Sequence, residues 1–169
     1  MARFCAGDAR AFEALFTRHA PAVRRYLTRV SGSAAAADDL VQATFFSVVK
    51  ARGRFLSGAR FKPWLYAIAT NAARDAHRRT KSETVTDDGA LPDEAVESEL
   101  RDPGLERAVR AALAKLPEAQ REAIVLHRFE GLSFAEIASI VGLTESAVKV
   151  RAHRGYETLR TVLKGVWEP

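Results

Sequence analysis

The sequence predicts an all-α protein: two small helical domains joined by a flexible acidic linker, the second domain carrying a helix-turn-helix. Three observations predict it. Apolar residues recur at helical spacing through residues 12–76 and again through 105–159, with little of the β-branched alternation of a sheet. Glycine and proline fall where those stretches break, at Ser31-Gly32-Ser33, Pro117, Gly131 and Gly142. Charge divides the chain in three. Residues 1–79 hold 14 basic and 5 acidic side chains (+9), residues 80–106 hold 2 and 9 (−7), and residues 107–169 hold 10 and 7 (+3). The domains therefore read 1–80 and 105–169, with the linker at 81–104 between them.

The opening helix carries Phe12, Leu15, Phe16, Val23, Tyr26, Leu27 and Val30 on one face. Pro21 either kinks it or begins a second helix, because a proline inside a helix removes a hydrogen bond. The next helix runs from Ala34 to about Arg52. Its wheel gathers Leu40, Val41, Phe45, Val48, Val49 and Ala51 on the buried half, and Asp39, Gln42, Phe46 and Lys50 on the other. A polar outer face is ordinary. An aromatic ring beside a carboxylate and an amide is also what a protein-docking patch uses.

A loop follows, Gly53-Arg54-Phe55-Leu56-Ser57-Gly58-Ala59-Arg60-Phe61-Lys62, alternating cations with aromatic rings. Guanidinium groups neutralise phosphates and rings stack on unpaired bases, so the mixture suits single-stranded nucleic acid. Equally, Phe55 and Phe61 could plug the core beneath a solvated loop. Pro63 is placed to begin the third helix, with Trp64, Leu65, Ile68, Ala69, Ala72 and Ala76 as the expected buried stripe. Tyr66, Thr70, Asn71, Arg74, His77 and Arg78 are expected on the opposite face. Amide and hydroxyl groups there can read base edges while the arginines hold phosphates.

The acidic linker contains Gly89, Pro92, Pro103 and Gly104, with a short helical piece expected around Glu94–Leu100. It reads as a solvated tether or as a segment that occupies a basic channel on a partner. Beyond it, Leu105, Val109, Ala112, Leu113 and Leu116 form a stripe that stops at Pro117, and a helix is expected over Glu118–Phe129. Ser133-Phe134-Ala135-Glu136 has the pattern of a capping box, Gly142 permits a sharp turn, and Thr144 caps a last helix from Glu145 to about Val162. Ser146, Lys149, Val150, His153 and Arg154 are expected to face out, where a recognition helix contacts the major groove. A helix pair of this kind can also be a plain packing unit.

Several classes are excluded. The single cysteine, Cys5, cannot form a disulfide framework and argues for a reducing, cytoplasmic setting. No apolar run reaches membrane-spanning length, and Met1-Ala2-Arg3 does not open a secretory signal. The histidines at 19, 77, 127 and 153 are scattered, so no metal and no cofactor is expected. Paired carboxylates, an activated nucleophile and a phosphate loop are absent, which disfavours an enzyme.

Two groups of motifs carry a family resemblance over about residues 8–165. Asp38-Asp39-Leu40-Val41-Gln42-Ala43-Thr44-Phe45 and Pro63-Trp64-Leu65-Tyr66-Ala67-Ile68-Ala69-Thr70-Asn71-Ala72-Ala73-Arg74-Asp75 resemble the second conserved region of bacterial extracytoplasmic-function (group 4) sigma factors. Leu116-Pro117, Arg121-Glu122, Gly131-Leu132-Ser133, Glu136-Ile137-Ala138 and Ala147-Val148-Lys149-Val150-Arg151 are similar to their fourth region.

The resemblance implies a two-domain sigma factor without a first or third sigma domain, and no sensing domain is expected after Pro169. It implies that Asp38, Asp39, Leu40, Gln42 and Phe46 dock on the β′ clamp of core RNA polymerase, with the β flap as a further contact. It assigns −10 DNA to Asn71 and the Arg54–Lys62 loop, with Phe55, Arg60, Tyr66, Thr70, Arg74, His77 and Arg78 alongside. It assigns −35 DNA to Ser146, Lys149, Val150, Arg151, His153 and Arg154. An anti-sigma factor is the implied regulator. Ala43 stands where an acidic residue is common in the family, and Gly155 and Tyr156 where Ala and Arg are usual.

Overall fold

The computed structural model describes residues 1–83 and 103–167, and every regular element among them is helical. The expected helical piece near Glu94–Leu100 lies outside the described residues, as does most of the acidic linker. The chain divides into two compact units.

In the first unit, α1 (Ala2–Cys5), α2 (Ala9–Ser31), α3 (Ala34–Ala51) and α4 (Phe61–Glu83) surround one core. Asp8 caps α2 by accepting from the amides of Arg10 and Ala11, and Gly32 closes it at φ +77. Those amide hydrogen bonds, with the Arg3 guanidinium, hold the Asp8 carboxyl below the usual carboxylate range. The helix runs unbroken through Pro21. That residue is exposed, so the carbonyl it leaves without an amide partner faces the solvent side. Ser33 caps α3 through the amide of Ala36. The short α1, which the hydrophobic pattern does not announce, buries Phe4 against Phe12 at 5.3 Å.

Packing of α2, α3 and α4 on one another buries Val23, Tyr26, Leu27, Leu40, Val41, Phe45, Val48, Leu65, Tyr66 and Ala69. At about 25 cal/mol per Å² of apolar surface, this interior dominates the stability of the unit.

In the second unit, α5 (Pro103–Ala114) and α6 (Glu118–Ile124) pack on α8 (Glu145–Trp167), with α7 (Phe134–Val141) before the last turn. The helix expected over Glu118–Phe129 widens after Ile124 into a π-helical turn, Val125–Phe129. The Glu130 amide bonds five residues back to Val125, and the Leu132 amide reaches Leu126. This places Leu132 in the core. Ser133 and Glu136 form the predicted capping box, and Gly142 ends α7 at φ +71. The Ala147 amide donates to Thr144 Oγ1 at 3.2 Å, which starts α8. Its last described residue is Trp167, a turn beyond the expected end.

Candidate nucleic-acid and protein interfaces

On α3, burial separates the two halves of the wheel. Asp39, Gln42, Ala43 and Phe46 are exposed, and Lys50 Nζ lies 4.4 Å above the Phe46 ring. At 62% exposure the ring remains open to a partner despite that cation–π contact. Asp38 is engaged differently. Arg24 of α2 donates to both of its carboxylate oxygens, at 2.5 and 3.2 Å, and this holds its carboxyl below the usual range. Asp38 therefore braces α3 on α2.

Leu40 is only 8% exposed, on the buried half as the wheel predicts, so the docking role the resemblance implies for it can only be to support the face from beneath. Val49, which the wheel places inside, is 37% exposed. Phe16 of α2 is also largely exposed, with its ring edge-on to Phe45 at 4.8 Å.

On α4 the buried face is rotated by about a quarter turn from the expected one. Leu65, Tyr66, Ala69, Thr70 and Ala73 are buried, while Trp64, Ile68, Ala72 and Ala76 are half-buried. The cause is two-sided packing, since α4 lies against both α2 and α3 and covers a wider arc than one neighbour would. Tyr66 and Thr70, expected to read bases, are thus core residues. The Thr70 and Tyr26 hydroxyls bond at 2.7 Å, and the Tyr26 and Tyr66 rings meet edge-to-face at 5.2 Å. What remains outside is Asn71, His77 and Arg78, with Arg74 half-exposed. Asn71 stands opposite the buried stripe. Arg78 is paired with Asp75 at 2.7 Å.

The loop before α4 turns over Arg52–Arg54 and again at Leu56–Ala59, where Gly58 adopts φ +83. Phe55 contacts Trp64 at 5.2 Å and Phe61 at 6.4 Å, so it belongs to the aromatic cluster beneath the loop rather than to its outer surface. His19 of α2 completes that cluster against Phe61 at 5.1 Å. Burial, then Arg18 and Lys62, push its pKa down, which favours a neutral ring. The group the loop displays is Leu56, 76% exposed among exposed Arg52, Arg54 and Arg60. Sequence reasoning passed over Leu56. The spacing of Phe55, Phe61 and Trp64 as mutual partners was the available signal.

On α8, Val148, Ala152 and Gly155 face inward, and Ser146, Lys149, Val150, His153 and Arg154 face out. Arg151 is half-buried on the flank. Lys149 pairs with Glu145 at 2.7 Å, and the His153 ring lies 3.5 Å from Glu157. Behind this helix, His127 stacks on Phe134 at 4.1 Å and donates from Nδ1 to the Leu132 carbonyl at 2.9 Å. Gly155 has a packing role: a Cβ there would lie 2.6 Å from Ile124 Cδ1 and 3.3 Å from Gln120 Cβ. The glycine is what lets α8 approach α6 so closely.

Residues 15–83 match the family described as sigma-70 region 2, and residues 106–159 match sigma-70, region 4. The chain is 47% identical to the RNA polymerase sigma factor CarQ of Myxococcus xanthus, over 96% of this chain and 95% of that one. It belongs to the extracytoplasmic-function sigma factors of the sigma-70 family. This sigma factor is also 33% identical to the ECF RNA polymerase sigma factor EcfG of Rhodopseudomonas palustris, over 85% of this chain and 80% of that one.

Its fold is similar to that of the sigma factor RpoE solved in complex with the anti-sigma factor NepR from Bartonella quintana. There the TM-score is 0.78 at 27% identity, covering 92% of this chain and 98% of that one. CnrH in complex with the cytosolic domain of CnrY gives a TM-score of 0.73 at 30% identity, covering 97% and 94%. The activity of this sigma factor is that of its family, promoter-directed initiation of transcription by RNA polymerase. No helix among the described residues is long and apolar enough to cross a membrane.

Proposed function

We propose that this sigma factor is a group 4 member that works in the cytoplasm, divides promoter reading between its two units and makes no covalent bond of its own. The exposed α3 face, Asp39, Gln42 and Phe46, docks on the β′ clamp of core RNA polymerase, while the second unit meets the β flap. Asn71 and Arg74, with His77, Arg78, Lys62 and the Arg54–Arg60 loop, hold single-stranded −10 DNA as the duplex opens. Ser146, Lys149, Val150, His153 and Arg154 read the −35 element as duplex, with Arg151 at the flank. Polymerase binding and base capture together drive opening, and the cations supply a salt-dependent share of affinity.

The observation that carries this reading is Asn71 on the outermost line of α4, beside Arg74 and the Asp75–Arg78 pair and displaying an amide that can pair with a base edge. A regulator that binds only duplex DNA needs the α8 face and has no use for this one. The similar sigma factor RpoE, solved in complex with the anti-sigma factor NepR, supports a similar restraint on this chain by an anti-sigma partner.

The test is reconstitution with core polymerase on a promoter library, beside a gel shift with the purified chain alone. Specific transcripts that need both proteins, with weak binding by the chain alone, are expected. Tight, sequence-specific duplex binding without polymerase would point instead to an ordinary helix-turn-helix regulator.

A further inference from the structure

Val150 occupies an unusual place on α8. The helix buries Val148, Ala152 and Gly155 with Leu159 half-buried, and at about 100° per residue Val150 lies directly opposite the middle of that stripe. It is the sixth residue of the helix that follows the Gly142 turn, and its isopropyl group is 49% exposed. The exposed residues one turn away, Ser146, His153 and Arg154, are all polar, and the fourth neighbour, Ala147, is half-buried. Lys149 is drawn to Glu145 on the flank turned away from Val150, so its chain does not cover the valine. The most protruding position on a polar, cationic face is therefore apolar.

A valine carries no donor or acceptor, so it cannot satisfy the polar edge of a guanine, an adenine or a cytosine. Pressed against such an edge it would remove water without replacing a hydrogen bond. Among the four base pairs only those with thymine show an apolar group in the major groove, the C5 methyl. On the assignment of α8 to −35 duplex made above, we infer that Val150 selects a thymine at one position of that element by packing against its 5-methyl group. The polar residues around it fix the helix in the groove, and the valine adds a preference at one base pair that hydrogen bonding from this position does not provide.

The experiment uses the full chain with core RNA polymerase. A promoter is first selected from a library randomised over the −35 element, and each thymine of the selected element is then replaced singly by deoxyuridine, which differs only by the lost methyl. One such replacement is expected to lower promoter use about fourfold, the worth of about one buried methyl group. V150S, a change at a half-exposed position that leaves the helix intact by circular dichroism, is expected to use thymine and uracil equally at that site. Unchanged promoter use for every deoxyuridine, or a V150S protein that keeps the wild-type response, overturns the inference. K149A and R154A, run in parallel, separate the two levels. If they weaken −35 dependence while every uracil is tolerated, the inference about Val150 fails and the assignment of α8 stands. If they leave −35 dependence untouched, the assignment itself fails and takes the inference with it.

Discussion

The two units solve the same problem by different means. The second presents its reading face on α8, whose buried residues Val148, Ala152 and Gly155 form one narrow stripe although α5, α6 and α7 all contact the helix, so its outer residues follow directly from its inner ones. The first presents its face on α4, whose buried residues Leu65, Tyr66, Ala69, Thr70 and Ala73 spread over a wider arc, and a residue can be polar, lie off the obvious apolar stripe and still be buried. Thr70 and Ser146 make the contrast concrete: both carry hydroxyls on helices that bear candidate readers, yet Thr70 is 0% exposed while Ser146 is open. Polarity locates a reading face only where the buried arc of the helix is narrow.

The strongest way to break this contrast is at Tyr66. As a core ring it makes Y66A expensive, about 3–5 kcal/mol, with loss concentrated in residues 1–83 by hydrogen exchange. N71A, one turn away but exposed, is expected to stay within about 0.5 kcal/mol of the parent and to relax −10 selectivity. A stable Y66A with altered −10 choice would return Tyr66 to the surface.

Gly155 tests the second unit. G155A places a methyl against Ile124 in a packed interface, at an expected cost of about 1–3 kcal/mol confined to residues 103–167. I124V removes the clashing Cδ1. The double-mutant cycle should therefore show coupling, with part of the G155A penalty absent in the I124V background.

Next in size is the capping box that starts the helix-turn-helix. S133A removes the acceptor for the Glu136 amide and is expected to cost about 1 kcal/mol by denaturant titration, with the first unit unchanged.

The smallest effect concerns pH. His19 has its pKa lowered in the folded state, so the unfolded chain binds its proton more readily. The neutral ring contributes stability that is fully present above its unfolded value of about 6.5 and is lost as the pH falls from there through the lower folded value. Unfolding of the first unit at pH 7.5 and 5.5 should show this loss, and H19F should flatten it. A parallel pH slope in both proteins would remove His19 from the account.

Much of the architecture is legible in the residues themselves. Ser33, Ser133, Thr144, Gly32 and Gly142 each act through local backbone chemistry, so the starts and stops they dictate do not depend on tertiary context. The rotation of α4 depends on which neighbours it has, and a hydrophobic wheel holds no such information. The inward turn of Phe55 and the exposure of Leu56 depend on context in a related way. Adjacent loop residues point in different directions, and only the positions of Phe61 and Trp64 decide which one is pulled inward. The Arg24–Asp38 pair joins two helices across a 14-residue separation and has no periodic signature. Gly155 stands out against the family pattern in the sequence, yet its cause lies on α6.

The central claim is that the two units read separate promoter elements. Run-off transcription from a library randomised at both elements, with core polymerase and either N71A or R154A, tests it in a single assay. The account predicts that N71A relaxes selection at −10 and preserves it at −35, while R154A does the reverse. A variant that relaxes both elements alike, or a pair that leaves both unchanged, would contradict it.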